Sequence, residues 1–286
     1  MASLSLNPMA TTNALGSFGV QSDGYIQGVA LDDPANRFNL AAGTVAENET
    51  QPLWGGLPVA ENLPGTNSSP RGSTIRRAVS LSEIEGFTVF NQAHNGLTTP
   101  QSPVPLYASG MSVSYYRLGS NMRVPLKASP EVVALGTAGA SVKTPLAWDF
   151  VNSQLTTAAS AGFSGADIAT TAISYEDGVA KATTASAHGL VAGQYVKISG
   201  VAPEAYNGTV IVLSAPTTTS FTYTPVGTPS GPATTQGNMG AVALTDIALP
   251  VKLIAIESGN SKTVSYDSVK GFLTWKNEDS CALVLL

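Results

Sequence analysis

Charge is the first thing this sequence lacks. Its 286 residues hold 14 Lys and Arg against 19 Asp and Glu, 12% of the chain, for a formal net charge of −5. A nucleic-acid binder needs a basic face that displaces counterions from phosphate, and here the longest basic cluster is the pair Arg76-Arg77. Cysteine is nearly absent as well. Cys281 stands alone, which rules out an intrachain disulfide and fits assembly in a reducing cytoplasm. No apolar run approaches the ~20 residues that cross a bilayer as a helix, so no membrane partner is expected. The opening Met1-Ala-Ser-Leu-Ser-Leu-Asn-Pro8 has neither the basic start nor the apolar core of a secretory signal, and none is expected. Helix-forming runs of Glu, Lys, Leu and Arg are missing, and no dozen residues keep a 3.6-residue period. The chain reads as all-β.

The most regular stretch runs from about Ala172 to Gly240. It passes through Gly178-Val-Ala-Lys-Ala-Thr-Thr184, Ala187-His-Gly-Leu190, Gly193-Gln-Tyr-Val-Lys-Ile-Ser199, Ala205-Tyr-Asn-Gly-Thr-Val-Ile-Val-Leu213 and Ser220-Phe-Thr-Tyr-Thr224. Runs of four to seven residues bounded by Gly, Pro, Asn or Ser predict short antiparallel strands. Val196 and Ile198 should face one side, Tyr195 and Lys197 the other, and Phe221 and Tyr223 should share a face. Val210 to Leu213 is apolar throughout, as in a strand covered on both sides. Soft joints flank the stretch, Thr156 to Gly162 before it and Gly227 to Gly237 after it. Such joints tolerate insertions, so residues 167–243 read as a small β-sandwich inserted into a host domain of residues 73–166 and 244–286. The host is expected to be an antiparallel sandwich or barrel-like body.

Residues 1–72 are apolar enough to pack but are broken by Pro and Gly, and they read as an extended arm docked on the chain's own body or a neighbour. Beyond them, Ile75–Val79, Phe87–Phe90, Met111–Tyr116 and Val132–Leu135 predict strands. Ser80-Leu-Ser-Glu83 has capping-box spacing and predicts a single helical turn ended by Gly86. Gly271–Trp275 and Cys281–Leu286 predict a buried carboxyl-terminal hairpin, with polar Lys276–Ser280 as its loop.

Catalytic signals are thin. His94 and His188 sit in turn-like strings without partners at metal-ligand spacing, and a catalytic zinc takes about three protein ligands. No Gly-x-Ser-x-Gly elbow occurs, Gly162-Phe-Ser-Gly165 being one residue short. Ser258-Gly-Asn-Ser-Lys-Thr263 lacks phosphate-loop spacing and reads as a hairpin turn. Asp32-Asp33 reads as a turn start, and Glu83 and Glu85 do not share a helical face. Asn48, Asn67 and Asn207 head glycosylation tripeptides that, without an export signal, read as loops. Cys281 reads as a small core residue, and Trp54, Trp148 and Trp275 as core or interface residues rather than a sugar platform. No catalytic, cofactor-binding or metal site is expected, and no cofactor.

Two resemblances follow from these residues. The inserted stretch, with Ala187-His-Gly-Leu190, Gly193, Val196-Lys-Ile-Ser-Gly200, Ala205-Tyr-Asn-Gly-Thr209 and Phe221-Thr-Tyr223, resembles an immunoglobulin-like module found in phage virion proteins. The host resembles the capsid decoration (structural cement) proteins of tailed bacteriophages. Its residues for this are Gly28-Val-Ala-Leu-Asp-Asp-Pro34, Trp54-Gly-Gly56, Trp148-Asp-Phe-Val-Asn152, Leu249-Pro-Val-Lys252, Glu257-Ser-Gly-Asn-Ser-Lys262 and Trp275 to Leu286. This resemblance implies a non-enzymatic protein, made in the bacterial cytoplasm, that oligomerises (commonly as trimers) outside an icosahedral shell and bridges the major capsid protein of neighbouring capsomers. The insertion would then add a protruding surface module. Two alternatives stay open: a tail or baseplate structural protein, and a carbohydrate-binding adhesin that stacks host-surface glycans on Tyr195, Tyr206 and Tyr223.

Overall fold

The computed structural model describes residues 10–12, 20–22, 24–31, 37–63, 72–90, 98 and 102–286. Strands dominate and helices are few and short, so the chain is all-β. It divides into two compact units, residues 1–144 with 250–286 and residues 145–249.

In the first unit, strands β1 (Ala10–Thr12) and β2 (Val20–Ser22) form an antiparallel pair. Strands β3 (Leu40–Val45), β4 (Pro58–Asn62), β5 (Thr74–Arg77), β6 (Gly86–Val89) and β7 (Ser112–Arg117) close into a five-stranded barrel in the order β3-β5-β4-β6-β7. The arm expected over residues 1–72 is therefore corrected for its second half: β3 and β4 are staves of the barrel. Val45 and the consecutive Pro58, Val59 and Ala60 are buried, so barrel closure supplies the partners that the sequence alone did not reveal. Between β5 and β6, the expected turn is a 3-10 turn, Leu81–Glu83; Ser80 makes no side-chain capping bond, and Glu83 accepts the amide of Val79, one residue before the cap. Strand β8 (Arg123–Lys127) follows, and then helix α1 (Pro130–Thr137).

Helix α1 corrects the strand expected at Val132–Leu135. Ser129 caps its amino terminus, Pro130 occupies the first turn, and only Val132 is buried, so one apolar ridge rather than an alternating face holds it down.

The second unit holds β9 (Leu146–Asp149), β10 (Gln154–Thr157), helix α2 (Ala158–Ala161), β11 (Ile168–Glu176), β12 (Val179–Thr184), β13 (Tyr195–Ser199), β14 (Gly208–Thr217), β15 (Ser220–Tyr223), β16 (Asn238–Gly240) and helix α3 (Leu244–Ile247). Strands β9 and β10 pair with each other. The other six close in the order β11-β12-β15-β14-β13-β16. The long strands β11 and β14 each pair on both sides, and each carries a register shift, at Thr170/Ala172 and Val212/Ser214. Bulges of this kind let one strand pass from one sheet of a sandwich to the other. Ile173, Ala182, Val196, Ile198, Tyr206, Val210, Val212, Phe221 and Tyr223 fill the interior.

The unit boundaries fall outside those read from the sequence at 167 and 243. Leu249 donates its amide to Leu146 O at 2.7 Å, Val242 to Phe163 O and Phe163 to Tyr195 O, which ties β9, β10 and residues 244–249 to the inserted barrel.

The chain then returns to the first unit with β17 (Lys252–Asp267) and β18 (Phe272–Leu285). These long strands pair antiparallel, and β18 pairs with β8 on its far side, making the order β17-β18-β8. The expected terminal hairpin is thereby corrected. Phe272–Trp275 and Cys281–Leu285 are two parts of one strand, and polar Lys276–Ser280 lies along it, facing solvent. The reversal comes at Ser268–Gly271, where Asp267 Oδ1 accepts the amides of Val269 and Lys270. Ser258–Thr263, expected as a turn, lies within β17 at its register shifts.

Candidate interaction surface

Residues distant in sequence meet at one crossing in the first unit. Gly28, with φ +73°, lies so close to Gly55 that an added Cβ would stand 2.3 Å from the Gly55 carbonyl carbon. Only glycine combines that φ with that approach. Next to it, Trp54 packs against Tyr266 with ring centroids 5.6 Å apart, and Phe90 meets Trp275 edge-on at 5.7 Å. Thr88 Oγ1 donates to Trp54 O and accepts the Leu57 amide, and buried Gln27 accepts the Val264 amide. The Arg77 guanidinium lies over the Trp54 ring at 4.7 Å and donates to Pro52 O, and burial lowers its pKa. Gln27 Nε2, Trp54 Nε1 and Arg77 Nε are buried donors without a hydrogen-bond partner.

At the barrel wall, Arg117 donates twice to Glu61, both bonds at 2.7 Å, and Ser73 donates to the same carboxylate. The Arg117 hydrogen bonds hold the Glu61 carboxyl down at about 2, while burial and the Glu61 charge push Tyr115 up to about 12. This pair joins β4 to β7, and the Arg76–Glu83 pair at 2.8 Å joins β5 to the 3-10 turn that follows it.

An apolar groove of about 380 Å³ runs between α1 and β17, lined by Val133, Leu135, Val142, Ile254 and Ile256 among others. Val142 and Ile254 are 49% and 42% exposed, so its walls face solvent. No charged side chain lines it.

The residues considered for chemistry are dispersed. His188 is buried in the inserted barrel, accepts the Leu190 amide on Nδ1 and packs edge-on against Phe221 at 5.4 Å; its Nε2 lacks a partner. Cys281 is a buried free thiol whose pKa burial pushes up to about 12, so it stays protonated and unreactive at neutral pH. Asn207 is locked by two bonds to the Val201 backbone. Trp148 is buried and Trp54 nearly so. Tyr195, Tyr206 and Tyr223, the expected glycan platform, are 1%, 0% and 0% exposed. Tyr195 donates to Trp148 O and Tyr206 to Gly231 O, so these rings are core and cannot stack a sugar. His94, Asp32-Asp33 and Asn67 lie outside the described residues. Among the described residues no three His, Cys, Asp or Glu side chains are grouped to hold a metal ion, and no helix is long and apolar enough to cross a membrane.

The sequence reading missed the groove and the Gly28–Gly55 crossing. Gly55-Gly56 after Trp54 was the available signal for the crossing, because paired glycines beside a large aromatic mark close backbone approach. No family, curated protein or solved structure matches this chain.

Proposed function

We propose that the chain is a non-enzymatic structural virion protein that decorates the outside of a tailed-phage capsid and bridges neighbouring capsomers as a homo-oligomer, a trimer being the expected state. The observation that carries this reading is the crossing in the first unit. Gly28, Trp54-Gly55-Gly56 and Trp275, which stand far apart in the sequence and carry the resemblance to decoration proteins, pack into one neighbourhood with Tyr266 and Phe90. Trp148-Asp-Phe-Val-Asn152 and Leu249, which also carry the resemblance, fall in the second unit, so the support for the reading comes from the first unit's residues.

The second unit fits the role of an added surface module. Its ends are hydrogen-bonded side by side through Leu249 and Leu146, so the host chain is interrupted at a single point. A glycan-binding role for that module would need a surface other than Tyr195, Tyr206 and Tyr223.

Gold-labelled antibodies against the purified chain, applied to particles of the phage that encodes it, test the proposal. Label spread over the head supports it. Label confined to the tail or baseplate transfers the protein to that class of structural part, and particles free of label overturn the virion assignment.

A further inference from the structure

Two Asn-Gly steps occur in the sequence, Asn95-Gly96 and Asn207-Gly208, and this dipeptide carries a chemistry of its own. Glycine puts no side chain beside its nitrogen, so that nitrogen can attack the side-chain amide carbon of the preceding Asn. A bond forms between the Gly nitrogen and Asn Cγ, and the Cγ–Nδ2 bond breaks. The amide nitrogen leaves as ammonia, with the proton that the Gly nitrogen gives up. Water then opens the succinimide ring at either carbonyl, leaving an aspartate or an isoaspartate whose backbone is longer by a methylene. Asn95-Gly96 lies outside the described residues, whereas Asn207-Gly208 stands at the entry to β14.

The fold holds Asn207 away from this reaction. Its side-chain oxygen accepts the Val201 amide at 2.9 Å and its Nδ2 donates to Val201 O at 2.8 Å, so both ends of the amide are engaged. Its backbone N–H donates to Glu204 O at 2.9 Å, closing the 3-10 turn Glu204–Tyr206. Its φ and ψ are −80° and 148°. Ring closure needs the Gly208 nitrogen eclipsed with Cβ about the Cα–C bond, and an extended ψ turns the two well apart. On the far side, Gly208 pairs with Ile198 and Val210 with Val196 in β13, while buried Tyr206 donates to Gly231 O. Freeing ψ at Asn207 therefore requires the turn and the β13–β14 pairing to open together.

We propose that Asn207 is a fold-gated deamidation site, silent while the second unit is closed and reactive once it opens. The modification also acts as a ratchet. The carboxylate it leaves has no donor for Val201 O, and the longer isoaspartate backbone breaks the register of Gly208 with Ile198. A unit that has opened and reacted does not close as before. This inference does not depend on the capsid role.

Peptide mass mapping of the full chain in mildly alkaline buffer, with and without guanidinium chloride, tests the gate. In denaturant Asn207 and Asn95 should lose their amides at similar rates, because sequence alone acts there. In the folded chain Asn207 should react at least about tenfold more slowly than in denaturant, since only the opened fraction can react. Equal rates in the folded and denatured chain overturn the proposal. Phe221→Ala, in the core of the same unit, should speed the loss in buffer, and an unchanged rate would show that the unit's opening is not the gate. Asn207→Asp, which installs the product's charge, should lower the second unit's melting temperature; unaltered melting overturns the ratchet.

Discussion

The two units solve the same problem in different ways. The inserted unit is continuous in sequence, and its barrel is stitched by neighbours: β11 with β12, β13 with β14, β14 with β15. The first unit is assembled from distant pieces. Its barrel contains a parallel contact between β3 and β5, and its three-stranded sheet joins β8 to a strand about 150 residues further on. One unit can acquire its core from local hairpins; the other requires both ends of the chain. Insertion is compatible with this division because residues 145–249 begin and end at hydrogen-bonded neighbours.

Removing residues 272–286 should give the largest separation between the units. It takes away β18, which holds β17 and β8 together and buries Ala282, Leu283 and Val284. Scanning calorimetry of the truncated chain should show the first unit's transition lost and the second unit's retained. Loss of both transitions would show that the units are one cooperative body.

Phe221→Ala should act in the opposite sense. Its ring is fully buried between His188 and Tyr223, and truncating such a side chain costs about 3–5 kcal/mol. The second unit's transition should move down while the first unit's stays in place.

A smaller effect is expected from His188→Ala, which strips the Leu190 amide of its acceptor inside the barrel. An orphaned buried donor costs about 1–3 kcal/mol, read as a shift of the second transition alone.

Acid should weaken the first unit through Glu61. Its folded pKa of about 2 lies below the ordinary value of 4.5, so its stabilising contribution is complete above about pH 4.5 and disappears as pH falls towards 2. Glu61→Gln should flatten the first unit's melting temperature between pH 5 and pH 2 relative to the unaltered chain. An unchanged slope would assign the acid sensitivity to other groups.

The same contrast explains what could be read in advance. Local alternation made the second unit legible: Val196 and Ile198 on one face, and Phe221 and Tyr223 together, lie in its core as expected. Tyr195 defeated that logic, because a phenol can be buried when its hydroxyl finds an acceptor such as Trp148 O, which lies 47 residues away. In the first unit the partners were distant and the signals local. Val132–Leu135 is too short an apolar run to tell strand from helix, and Ser129-Pro130 was the better guide. Lys276–Ser280 looked like a loop because polar residues fill turns and also the wet stretches of a long ribbon; Asp267 and Gly271 marked the actual reversal. The Gly28–Gly55 crossing has no periodicity to betray it.

The central claim is attachment to the outside of a capsid, and co-sedimentation of the purified chain with isolated heads tests it most directly. Heads and tails of the encoding phage, separated and stripped of this protein, are titrated with it and pelleted. The account predicts saturable binding to heads, at a copy number fixed by the symmetry of the shell, and no binding to tails. Absence of binding to heads, or saturation on tails alone, would contradict it.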